Sequence, residues 1–299
     1  MEYQRTIGNS ISFEGEGIFS GKEIRVELHP LEENRGIIFE RADLPYSPQI
    51  KLSLDNIYGL DGAVLITDGK IEILLIEHLL SILHGLGIDN CLIKVYGEEI
   101  PLLDGSSYPI LRKVREKGYR VLPALKRKLF LKKPFEMENG IGKIKFLPAT
   151  HLKIKAKIKF DHPAIGEQSY EFSYSPKNYI QEICYARTFG FIDILEERRR
   201  KGILKGGSFS NAIIMDREKV LNVEGLRTPD EFVRHKVLDL MGDLYATGMP
   251  LLAEVEAYFS GHRLHIEALK ALSQTGLLEI VEPKAITFLW VTKKRRQVF

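Results

Sequence analysis

The sequence predicts an α+β fold built from two similar units. Three observations point there. The 299 residues are about twice the ~150 of a typical domain. Short runs of alternating hydrophobicity are interleaved with apolar stretches of helical period in both halves. The halves also echo one another: His78 precedes Gly105 by 27 residues and His235 precedes Gly261 by 26. Each histidine lies in a predicted helix that leads to a strand, a glycine-containing turn and a further helix, the pattern of a duplicated unit.

In chain order, Ile11 to Phe13 and Ile24 to Leu28 read as strands joined through the turn at Gly15-Glu16-Gly17, because Ile24-Arg25-Val26-Glu27-Leu28 alternates with period two. Ile71 to His84 is an apolar run of helical character, stopped by Gly85 and Gly87. The strand Cys91 to Tyr96, the turn Pro101 to Gly105 and the helix Tyr108 to Lys117 complete the first unit. The basic stretch Gly118 to Pro134 carries two prolines, and the domain boundary is expected near its beginning, giving units 1–122 and 123–275. The second unit repeats the plan with strands Ile144 to Leu147 and Leu152 to Phe160, then a helix at Pro176 to Cys184. A long helix Pro229 to Thr247, the strand Leu251 to Phe259 and the helix His262 to Leu272 follow. Residues 276–299 read as a last strand, Phe288 to Val291, and a basic tail.

Composition excludes several classes. At 44% hydrophobic and 28% charged residues the chain has material for real cores, unlike disordered or fibrous proteins. Lys+Arg 43 against Asp+Glu 40 leaves +3, so nucleic acid is not an expected partner. Arg198 to Lys201 and Lys293 to Arg296 are the local basic runs; the second, beside Phe288-Leu289-Trp290-Val291, allows weak contact with an anionic membrane surface. Cys91 and Cys184 are too few and too far apart for a disulfide framework or a cysteine metal cluster. With neither a signal peptide nor an apolar membrane span in the sequence, the expected compartment is the cytoplasm.

Four constellations could carry chemistry. His235, Asp239 and Asp243 recur at helical spacing, so imidazole and carboxylate share one face and could hold a first-row cation, or form an ordinary helix-surface pair. Glu77-His78 sits in an otherwise apolar helix, where a charge needs a partner or a metal. If His78 joined His235 and Asp239, three protein ligands would leave the fourth position for water, with Glu77 placed as base; the alternative is a helix start favouring Glu77. His262 begins a helix after Gly261, a position that lowers its pKa unless a carboxylate such as Asp243 compensates. The alternative is a surface cap. Thr188 in Ala186 to Phe191 could donate to a developing oxyanion, beside an apolar slot that includes Ile192, Leu195, Ile203 and Leu204, or be part of an aromatic-packed turn. His29, His84, His151, His162 and His265 lack such company and are taken as structural or surface residues.

Taken in order, these residues resemble the zinc-dependent UDP-3-O-acyl-N-acetylglucosamine deacetylase family of lipid A biosynthesis. The resemblance covers most of the chain. It is carried by Arg5-Thr6-Ile7, Gly15 to Gly21, Glu77 to Leu80, Gly85 to Asn90, Glu99-Ile100-Pro101 and Asp104-Gly105-Ser106 in the first half. In the second it rests on Phe160 to Pro163, Ala186 to Phe191, Gly206-Gly207-Ser208, Asn222 to Arg227, Glu231 to Asp243 and Ser260-Gly261-His262. It implies that His78, His235 and Asp239 bind one catalytic Zn2+, with Fe2+ an alternative in the cell. Glu77 is then the general base, His262 the general acid oriented by Asp243, and Thr188 polarises the acetamide carbonyl. Lys236 and Phe189 would contact the nucleotide-sugar, and an insertion at about 192–212, with Phe191, Leu195, Leu204 and Gly207, would form an acyl-chain passage. The implied fold is two similar α+β domains, each a sheet layered on helices, with the active site in the cleft between them.

Three departures stand out. Phe19 replaces a histidine, Leu75 replaces a threonine, and Gly59 to Leu65 lacks a threonine-rich loop. They bear on polar contacts at the first-unit side and leave every implied ligand and proton carrier in place, so catalysis is expected to be retained in a monomer. The competing readings are a zinc amidohydrolase for another acylated nucleotide-sugar and a non-catalytic lipid-sugar binder.

Overall fold

The computed structural model describes residues 2–282. β1 (Tyr3–Ile7) precedes the hairpin β2 (Ile11–Glu16) and β3 (Glu23–Pro30), then β4 (Ile37–Arg41) and β5 (Gln49–Lys51). A small antiparallel sheet follows from β6 (Ile57–Gly59), β7 (Val64–Thr67) and β8 (Glu72–Leu74). Helix α1 (Glu77–Leu86), strand β9 (Cys91–Tyr96) and helix α2 (Tyr108–Lys117) come next.

The helix expected over Ile71 to His84 is therefore corrected. Its first residues pair as β8, and Leu75, at φ 59°, turns the chain so that helix begins only at Glu77. The apolar run hid this because a buried strand and a buried helix look alike over so few residues. All ten residues of α1 are buried, as expected for a helix apolar on every side.

The basic stretch after Gly118 carries two strands, β10 (Tyr119–Leu125), which pairs with β1, and β11 (Lys128–Leu131), which joins the second sheet. There follow β12 (Phe135–Asn139), β13 (Gly142–Pro148), β14 (Lys153–Lys159) and β15 (Glu167–Ser173). The short α3 (Pro176–Asn178) runs on into a π-helical turn, Tyr179–Ile183. β16 (Phe189–Phe191), α4 (Ile192–Arg200) and β17 (Ile213–Met215) lead to α5 (Glu231–Leu244), β18 (Leu251–Tyr258), α6 (His262–Gln274) and β19 (Leu278–Val281). The strand at Phe288 to Val291 and the tail expected in 276–299 lie outside the described residues.

The two main sheets repeat one plan. In the first, the order is β2-β3-β9-β4-β5, with β9 antiparallel to β3 and parallel to β4. In the second, β18 is antiparallel to β13 of the hairpin β12-β13 and parallel to β14 of the hairpin β14-β15. β11 and β19 extend this second sheet. Each plan is interrupted at the same point, after its second hairpin and before its long helix, by β6-β7-β8 in one case and β16-α4-β17 in the other. α1 and α5 pack together, and one continuous apolar cluster spans both sheets. Among the described residues, no helix is long and apolar enough to cross a membrane.

Candidate metal centre and active-site cleft

Glu77 and His78 occupy the first turn of α1, His235, Asp239 and Asp243 lie on successive turns of α5, and His262 opens α6. α1 meets α5 at Gly242, where a Cβ would come within 2.0 Å of the Glu77 carbonyl oxygen. Only glycine permits that approach, and it carries the start of α1 onto the carboxylates of α5. Gly59 does the same at β6, against the His262 carbonyl.

His78, His235 and Asp239 each offer a ligand atom within 4.8 Å of the others, and all three residues are buried. His235 Nε2 lies 3.3 Å and His78 Nε2 3.5 Å from the same Asp239 Oδ1. His235 Nδ1 faces the Ala186 carbonyl oxygen at 3.3 Å, and a carbonyl only accepts, so Nδ1 carries the proton and Nε2 presents its lone pair. Burial drives the His235 pKa down to about 3, which keeps that ring neutral. A bare nitrogen thus points at a carboxylate oxygen, a repulsive contact that a cation between them makes favourable. The residues fit a divalent first-row ion on chemical grounds: two imidazoles and one carboxylate, with the outer nitrogen of His235 anchored on backbone.

The surrounding groups are tuned by burial and charge. Burial raises the pKa of Glu77, whose Oε2 accepts the Val64 N–H at 3.0 Å. Burial opposes ionisation of Asp239 too, yet His235, Lys236 and His262 hold its carboxyl well below the usual range. Lys236 Nζ donates to Asp239 Oδ2 at 2.8 Å. His262 Nδ1 donates to Asp243 Oδ2 at 2.8 Å. Burial disfavours its charge, but Asp243 and Asp239 overcome that and lift its pKa to about 9, so the depression expected of a helix N-terminus is more than offset. Its Nε2 is 3.8 Å from Asp239 Oδ2.

These groups floor a cavity of about 290 Å³. Lys236, Thr188, Phe189 and Phe191 line it together with Leu195 and Leu204 of a small apolar cluster, and Gly207. Phe189 packs edge-on against His235 and lies under Lys236 Nζ at 5.6 Å. Thr188 is held through its N–H on the Gly105 carbonyl at 2.7 Å. Of the residues expected from the sequence, Asp243 lies behind His262, and Ile192 and Ile203 of the expected apolar slot are not in this lining, whereas the other expected site residues line the cavity. Phe19 and Leu75 also line the cavity and belong to one small apolar cluster, so the departures there make that part of the lining apolar.

Sequence reasoning missed three contributors. His265, taken as structural or surface, is buried and donates from Nδ1 to Asp243 Oδ2 at 2.7 Å; its spacing of three from His262 was the available signal. Arg187 forms a buried pair with Glu231, Nε to Oε1 at 2.9 Å, directly before Thr188. Arg227 reaches Asp104 Oδ2 at 2.7 Å, a contact no local pattern announces.

Two sheets of one plan and a cavity lined by a buried imidazole–carboxylate donor set define an α+β protein with a metal-competent site. The chain belongs to the UDP-3-O-acyl N-acetylglycosamine deacetylase family, whose model matches residues 4–274. Similar proteins include the UDP-3-O-acyl-N-acetylglucosamine deacetylase of Syntrophus aciditrophicus, 40% identical over 91% of this chain and 86% of the relative. That of Neisseria meningitidis serogroup C is 42% identical over 90% and 89%, and that of Helicobacter hepaticus 39% over 93% of each.

Proposed function

We propose that the chain hydrolyses the 2-acetamido group of UDP-3-O-acyl-N-acetylglucosamine, releasing acetate and UDP-3-O-acyl-glucosamine, the committed step of lipid A biosynthesis. The observation that carries the reading is one cavity that joins the buried donor set and its proton-carrying histidine to an apolar wall. In this reading His78, His235 and Asp239 hold one Zn2+ or Fe2+. When bound, the ion supplies Lewis acidity, polarising the amide carbonyl and making water acidic.

The chain's own groups do the rest. Glu77 accepts a proton from the attacking water, and its raised pKa suits it to keep that proton. The Thr188 hydroxyl donates to the oxygen on which negative charge develops. His262, protonated at neutral pH with a pKa of about 9, gives its Nε2 proton to the departing amine. Asp243 keeps the other ring proton and hence the ring's direction. Lys236 and Phe189 contact the nucleotide-sugar, while Phe191, Leu195, Leu204 and Gly207 take the acyl chain. The working molecule is a cytoplasmic monomer of units 1–122 and 123–275, with the insert at about 192–212 forming the passage.

The test is acetate release from UDP-3-O-acyl-N-acetylglucosamine by protein loaded with one zinc, with metal content measured in parallel. Turnover in the wild type and metal loss in His78→Ala and His235→Ala are expected. No acetate, together with unchanged metal content in both variants, overturns the reading.

A further inference from the structure

Asp243 is wholly buried and serves two histidines at once. His262 Nδ1 lies 2.8 Å from its Oδ2 and 3.0 Å from its Oδ1, and His265 Nδ1 lies 2.7 Å from Oδ2. An ionised carboxylate only accepts, so both Nδ1 atoms donate. The far nitrogen of His265, Nε2, is 2.8 Å from Ser260 Oγ; in the neutral ring with its proton on Nδ1, Nε2 accepts and the Ser260 hydroxyl donates. Ser260, His265, Asp243 and His262 thus form one directional chain. It runs from the β18–α6 turn, across α6, to the ring whose Nε2 faces the cleft. His262 and His265 are three apart on the first turn of α6 and point at the same residue of α5.

We propose that His265 is a positioning residue for the proton transfer made by His262: its Nδ1–H fixes the Asp243 carboxylate in the orientation that receives Nδ1–H of His262. The inference rests on the deacetylase reading above. A carboxylate turns freely about its last side-chain torsion, where the energy profile is broad. Two donors on Oδ2 pin that torsion, and a single donor leaves it to follow the His262 ring. His265 does not line the cavity, so its loss misdirects the acid and leaves the substrate's contacts intact.

The experiment compares His265→Leu, His265→Asn and His265→Gln in the metal-loaded full chain. Asparagine places an amide N–H where Nδ1 was, whereas glutamine places it near Nε2, away from Asp243. In His265→Leu and His265→Gln, kcat should fall about tenfold or more, the scale seen when an orienting partner is lost, with KM unchanged within about twofold. His265→Asn should recover most of the rate. Equal rates for asparagine and glutamine variants, or a change confined to KM, overturn the proposal, and that pair decides it even where the leucine variant does not fold. Histidine ring 15N spectra of the wild type supply a readout independent of turnover: His265 should carry a proton on Nδ1, and an unprotonated Nδ1 overturns the proposal. A wild type that releases no acetate defeats the deacetylase reading, while the ring spectrum still decides the His265–Asp243 bond.

Discussion

The two inserts occupy the same station in a repeated sheet plan, yet they give the cavity different kinds of contact. The first, β6-β7-β8, grips the polar floor: Val64 donates its backbone N–H to Glu77, and Gly59 sits against the His262 carbonyl. The second, β16-α4-β17 with the loop between α4 and β17, supplies Phe189, Phe191, Leu195, Leu204 and Gly207 to the largely apolar lining. Two sheets of the same strand plan each carry an inserted segment, and both segments line one cavity. In this reading one is spent on holding the groups that move protons and the other on shaping what is bound.

The sharpest division between the inserts comes from Glu77→Gln. The amide keeps the shape and can still accept the Val64 N–H, but cannot take a proton. kcat should drop by about 10² to 10⁴, the usual contribution of a general base, with metal content and KM little changed. Retained turnover in a variant of verified metal content removes Glu77 from the chemistry and with it the distinction between the inserts.

The scaffold beneath both inserts is tested by acid. His84, on α1, donates from Nδ1 to the Met241 carbonyl of α5 at 3.0 Å and stacks on Tyr245. Burial lowers its pKa from 6.5 to about 4. Between those values the unfolded chain binds a proton that the folded chain refuses, so stability falls as pH drops through 6.5 and the loss is complete below about 4. Its full extent is about 3 kcal/mol. Urea midpoints of the wild type should decline over this window more steeply than those of His84→Phe, which keeps the stacking and does not titrate. Parallel curves for the two proteins would assign the acid sensitivity elsewhere.

The second insert is tested by Ala212→Phe, which adds an aromatic ring to the apolar wall. For a substrate with a long 3-O-acyl chain, KM should rise about tenfold, a loss of ~1.4 kcal/mol, while an analogue without the chain is hydrolysed as by the wild type. A uniform loss on both substrates would mean that the wall shapes the chemistry as much as the chain's binding, erasing the contrast with the first insert.

How far these regions could be read in the sequence differs for a physical reason. α2 and β9 were legible to the residue because a glycine or turn bounds each and the periodicity inside is clean. The start of α1 was not, since Leu75 reaches a left-handed backbone conformation that leucine seldom adopts, and only the surrounding fold imposes it. The donor set was legible as spacing on α5, whereas joining His78 to it needed the resemblance, because that contact joins α1 to α5 across a long stretch of chain. His265 was passed over although its partner Asp243 had been named: a helix-surface histidine and a buried one have the same spacing. The matching topology of the sheets leaves only a faint echo in the sequence, as topology is a property of pairing and few particular side chains enforce it.

The smallest effect separates two ion pairs between residues far apart in the chain, Arg227–Asp104 and Arg198–Asp61. Arg227 donates from Nη2 to Asp104 Oδ2 at 2.7 Å and from Nη1 to the Tyr185 carbonyl at 2.7 Å and the Ser106 hydroxyl at 3.2 Å. Arg198, on α4, reaches Asp61 Oδ2 at 3.3 Å through one nitrogen. The side chains of the first pair are 34% and 29% exposed and those of the second 37% and 86%. Solvent screens both, but the first pair is held by several oriented bonds and the second loses side-chain freedom for a single contact. Double-mutant cycles with Arg227→Met and Asp104→Asn should give a coupling of about 0.5 to 1 kcal/mol, against a coupling near zero for Arg198→Met with Asp61→Asn. The Arg198 and Asp61 side chains both line the cavity, so their variants should alter KM for the acylated substrate before they alter the urea midpoint. A coupling at Arg198–Asp61 as large as that at Arg227–Asp104 would make the second insert a fixed part of the scaffold, as firmly held as the loop that carries Thr188.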